Sequence, residues 1–148
     1  MNVFKNIGGM LVKIGGVMIS IIALLNILKY SIYIFIINFV SSFINIIEDK
    51  YISMYRWIID WFFLLGYGIL IPIIAVNIAI LYIGYKLYKI DGANIAVEAR
   101  DKWIIVITVF LALSLFLGSL LSSISFLLPL IGFIIISLKH ENIAYKMR

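Results

Sequence analysis

The chain has 148 residues, of which 65% are hydrophobic and 13% charged, with a mean hydropathy of +1.18. A soluble domain is roughly half apolar and a quarter charged, so water is not the main solvent of this protein. The formal charge of +5 is gathered in short clusters between long apolar blocks, which is how a bilayer sorts a sequence. The bilayer is thus the expected partner, and nucleic acid is not.

Cysteine is absent, which excludes a disulfide framework, a thiolate metal site and a Cys nucleophile. Glutamine is absent too, and Ile is the commonest residue. That balance is shared by AT-rich coding and by heat-adapted proteins that avoid labile side chains.

In chain order, the first predicted span covers residues 7–28. Lys5 and Lys13 give it the look of a signal peptide, but Lys29, Tyr30 and Ser31 follow where small residues would mark a cleavage site, so it reads as an uncleaved anchor. Within it Gly8 with Gly15, and Gly9 with Gly16, repeat at heptad spacing and offer a close-packing face.

Residues 30–47 come next. At 100° per residue Ser31, Asn38, Ser42, Asn45 and Asp49 fall within about 60° of one another, a narrow and nearly uncharged polar face. The pattern predicts an amphipathic helix on the outer surface or leaning on the other helices, its stripe available to a partner. A five-span arrangement, with this segment crossing the membrane, is the alternative.

The second span, residues 58–85, is opened by Trp57 and Trp61 and closed by Tyr82, Tyr85 and Tyr88, as interfacial aromatic belts would be. Pro72 near its middle cannot donate to the carbonyl of Gly68, so a kink is expected there. Asn77 is the one amide well inside this span, and Ala75 with Ala79 forms a small-residue face. Asp60 is the acid nearest the membrane; Arg56, four residues earlier, is its expected partner, and a proton or cation role is the sharper alternative. For Asn77 likewise, helix packing is weighed against solute binding beside a broken helix.

A turn is expected at Asp91 and Gly92, then a helix in which Glu98 and Lys102 are ordered at i and i+4. Residues 103–138 hold no charged side chain. One helix of that length would run about 54 Å against a hydrocarbon core of about 30 Å, so the segment must fold back. The break is placed between Gly118 and Ser125, giving spans 103–119 and 121–138, with Ser114, Gly118 and Ser122 as a third small-residue face.

Orientation follows from the basic residues. With four spans, one side receives Lys5, Lys13, Lys86, Lys89, Arg100, Lys102, Lys139, Lys146 and Arg148, and the other Lys29, Lys50 and Arg56. Nine against three puts both termini and the loop near residue 90 in the cytoplasm. The expected fold is therefore all-α: a single integral membrane bundle of four transmembrane helices with an outer amphipathic helix, multi-pass in the cell membrane.

Chemistry has little to stand on. His140 is the only histidine, and it lies between Lys139 and Glu141 just past the last span, where a plain interfacial side chain outweighs a haem or metal ligand. No phosphate loop, dinucleotide fingerprint or paired His and carboxylate motif is present. No catalysis, cofactor or metal is expected. Three readings remain: a small non-catalytic accessory or structural subunit packed against a larger respiratory, transport or envelope complex, which is favoured; a self-assembling pore or small transporter built from copies of the chain; and, last, an enzyme.

Overall fold

The computed structural model describes residues 3–46, 50–90, 95–116 and 120–146, and side chains within 6–46, 55–90, 95–115 and 120–138. The described residues form four α-helices: α1 (Val3–Ile46), α2 (Lys50–Lys89), α3 (Val97–Phe116) and α4 (Leu120–Lys146). The protein is all-α. Three of the helices carry segments long and apolar enough to cross a membrane, at Asn6–Ile46, Tyr55–Lys89 and Leu120–Leu138.

The main departure from the sequence reading lies in α1. Two separate helices, one to Leu28 and one from Tyr30, do not form; one helix of 44 residues runs through Lys29 without a break. The reason is local. After Gly16 the helix contains neither Gly nor Pro, and a lysine side chain interrupts hydropathy without disturbing the backbone hydrogen-bond ladder. At 1.5 Å per residue α1 is about 66 Å long and α2 about 60 Å, each well beyond the roughly 30 Å hydrocarbon core.

The ends of α2 and α3 follow their charges. Lys86 and Lys89 occupy the last turn of α2, where cations oppose the negative end of the helix dipole, and Glu98 occupies the first turn of α3. The α2 end is tightened by the Ile90 amide, which donates to the carbonyls of Lys86 and Leu87 at 3.1 and 3.3 Å. The break between the last two helices falls after Phe116 and before Leu120, so Ser122, Ser123 and Ser125 lie inside α4. Gly118, Asp49 and the expected turn at Asp91 and Gly92 lie outside the described residues.

The chain divides into two compact units, residues 1–23 with 80–148, and residues 24–79. The first has a core of Val12, Ile19, Leu87, Ile107, Phe126 and Phe133, all closed to solvent, with the rings of Phe110 and Phe126 stacked 6.0 Å apart. The second is a helical hairpin with no comparable core among its described residues. Its apolar side chains stand outward, with Phe35, Phe62 and Ile69 60% or more exposed.

Candidate helix-docking faces

In the unit of residues 1–23 and 80–148, glycine decides which helices touch. A Cβ built on Gly8 would lie 2.9 Å from the carbonyl oxygen of Gly132, and one built on Gly132 would lie 2.7 Å from that of Gly8. Gly16 and Gly84 meet in the same reciprocal way, at 2.8 and 2.7 Å. Backbones this close leave no room for any side chain. Gly15 faces the ring of Pro129, so Gly8 and Gly15 both turn to α4 while Gly16 turns to α2. Gly9 is buried. Gly84, Pro129 and Gly132 did not stand out in the sequence, where an isolated glycine or proline within a helix reads only as a local cost.

The serines of the last two helices are consumed within the same unit. Ser114 and Ser123 share a hydrogen bond of 2.9 Å across α3 and α4, while Ser114 also donates to the Leu111 carbonyl at 2.8 Å. Ser125 donates to the Leu121 carbonyl at 2.9 Å, and Ser122 is buried. At the start of α3, Arg100 is buried and donates through Nε and Nη2 to the Asp101 carboxylate, at 3.0 and 2.9 Å. This is the one ion pair among the described residues; Glu98 and Lys102 are both exposed.

In residues 24–79 two members of the polar stripe of α1, Asn38 and Asn45, meet α2 of the same unit. The Tyr67 hydroxyl donates to Asn38 Oδ1, and Arg56 Nη2 donates to Asn45 Oδ1 at 2.5 Å. Arg56 is therefore engaged by Asn45 rather than by Asp60, which is exposed, because Asn45 lies across the hairpin from it. Ser31 and Ser42 are exposed. Asn77 is 6% exposed and donates to the Ile73 carbonyl at 2.8 Å, closing on its own helix one turn back.

Two faces of this hairpin are left open. The first runs along α2 through Gly68, Pro72, Ala75 and Ala79, all exposed and within about 60° of one another at 100° per residue. Pro72 lies about 200° round the helix from Leu70, so the face points away from α1. A Cβ on Gly68 would meet nothing within 4 Å. The second is an apolar groove of about 410 Å³ between α1 and α2, lined by Tyr33, Ile36, Ile37, Gly66, Ile69 and Leu70.

Among the described residues no three His, Asp or Glu side chains lie close enough to share a metal ion. No known protein family, curated protein or solved structure matches this chain.

Proposed function

We propose that the protein is a non-catalytic accessory or structural subunit, held in the cell membrane against a larger complex of respiratory, transport or envelope type. It crosses four times, one crossing per helix, with both termini cytoplasmic; residues 30–46 continue the first crossing.

The observation that carries this reading is the unoccupied small-residue face of α2. In lipid the hydrophobic effect does not draw helices together, and association depends on close van der Waals approach, which small residues permit. Gly68, Ala75 and Ala79 permit that approach, and all three are exposed, with nothing within 4 Å of a Cβ on Gly68. A pore, the competing reading, needs polar groups left over to line a water path. Asn38, Asn45, Asn77, Ser114 and Ser125 each hydrogen-bond within the chain instead, which favours packing over conduction.

The test is isolation from native membranes in gentle detergent, followed by native mass spectrometry of the intact particle. The subunit reading expects a defined set of larger membrane proteins with the wild type, and their loss from the Ala75→Leu, Ala79→Leu double variant. A clean homo-oligomer carrying no other protein would support the pore instead. For topology, the chain has no native cysteine to remove. Tyr55→Cys should react with an impermeant maleimide only from outside and Lys89→Cys only from the cytoplasm. Reaction of both from one side rejects four crossings.

A further inference from the structure

Lys29 is the single charged residue between Ile14 and Ile47, and its depth follows from the pairing of α1 with α2. Gly66 lies against Ile37, where a Cβ would come 3.2 Å from Ile37 Cδ1, and Tyr67 bonds Asn38. Arg56 bonds Asn45 while Tyr67 bonds Asn38, so the helices run antiparallel in this unit. Lys29 precedes Ile37 by eight residues, so it stands level with the position eight beyond Gly66, which is Ile74.

Residues 61–85 of α2 are free of charge and about 37 Å long, enough to cross the roughly 30 Å hydrocarbon core, and Ile73 is their midpoint. The Lys29 ammonium is therefore near mid-depth, about 15 Å from either interface and too far to reach headgroups by extending its side chain. It is exposed, with Nζ 5.5 Å from the ring centroid of Tyr30 and 5.8 Å from that of Tyr33. Aromatic faces soften the cost of a cation in lipid without cancelling its charge. Among the described residues no carboxylate lies within ion-pair distance of it. Asp60, the described acid of this unit, is fourteen residues along α2 from Ile74, about 21 Å.

The same side of α1 leads into the apolar groove. Lys29, Tyr33 and Ile36 fall at i, i+4 and i+7 and share a face, and Tyr33 both underlies the ammonium and lines the groove. A cation at one end of an apolar trough is the complement of an apolar helix bearing one acid.

We propose that Lys29 and this groove form the docking site for a transmembrane helix of a partner protein that carries an Asp or Glu near the bilayer midplane. The partner's apolar side chains fill the groove beside Gly66, and its carboxylate pairs with Lys29. The proposal rests on the subunit reading and gives that partner its chemistry.

The experiment reconstitutes the full chain in phosphatidylcholine liposomes with a synthetic Leu-rich transmembrane peptide bearing one central Asp, and reads association by energy transfer. The control peptide carries Leu at that position. The Asp peptide should associate about tenfold more tightly than the control, the size of one polar helix contact, and Lys29→Leu or Lys29→Gln should abolish the difference while Lys29→Arg retains it. Equal binding of both peptides, or a preference that survives Lys29→Gln, overturns the proposal. Self-association of the chain that excludes the Asp peptide would put a second copy on this face and overturn it too. Lys29→Cys carrying an environment-sensitive fluorophore gives an independent check: quenching by spin-labelled lipid should place it near mid-depth, and a headgroup depth removes the premise. A native complex that persists unchanged in Lys29→Gln leaves the subunit reading standing and defeats this one. Lys29-dependent peptide binding by a chain that carries no larger protein in its own membranes does the reverse.

Discussion

Residues 1–23 with 80–148 and residues 24–79 are built from the same apolar side chains, yet they use them differently. In the first unit α1 meets α4 at Gly8 and Gly132 and α2 at Gly16 and Gly84, backbone against backbone, and Phe126 and Phe133 are closed off between the helices. In the second, Phe35, Phe62 and Ile69 face outward, and the contacts between its helices include Asn38 with Tyr67, Asn45 with Arg56 and Gly66 with Ile37. Lipid explains how one sequence can hold both. Tails are as apolar as Leu, so burying a Leu earns little, and what separates the units is where the small residues point. In the first, Gly8, Gly15, Gly16, Gly84 and Gly132 point at other helices of the same unit. In the second, Gly68, Ala75 and Ala79 point away from α1, and the closeness they allow is open to another protein.

The comparison breaks most readily at Gly132. Leucine there would drive a side chain into the Gly8 carbonyl and Val12, and overpacking of this kind costs about 3 kcal/mol. Thermal unfolding in detergent should show a large drop for Gly132→Leu; an unchanged midpoint would mean that the two helices do not meet there. A smaller effect is expected for Asn38→Leu with Asn45→Leu. It leaves Tyr67 and Arg56 without their acceptors and should cost about 1 kcal/mol. Hydrogen exchange should then rise within residues 24–79 and stay level in α3 and α4, whereas a uniform rise would deny the division into units. The smallest effect belongs to Gly68→Leu. Nothing lies within 4 Å of the added Cβ, so the isolated chain should unfold as the wild type does, and a fall like that of Gly132→Leu would show that this face is packed within the chain.

Much of the architecture was legible in the sequence because it depends on what is absent. Long runs without charge specify long apolar helices, and the crowding of small residues near Gly118 marks where the uncharged stretch of residues 103–138 divides. The unbroken helix through Lys29 shows the limit of that approach. Hydropathy treats a lysine as the edge of a span, whereas the helix continues wherever the backbone ladder can, and here nothing stops it. The docking faces were harder to read, since they depend on which residues meet. Periodicity put Asn38 and Asn45 on one stripe but could not say that Tyr67 and Arg56 lie opposite. The pairing of Gly8 with Gly132 joins residues 124 positions apart, and no local pattern links them.

The claim that the hairpin is finished by another protein is tested most directly at Ala75 and Ala79. Each is replaced singly by Cys in the otherwise cysteine-free chain and exposed to a membrane-partitioning maleimide, once in native membranes and once after purification into liposomes. Both positions should be protected in native membranes and readily labelled in the purified chain. Equal labelling in the two settings would mean that the face meets only lipid, and the account of this protein as a docked subunit would be contradicted.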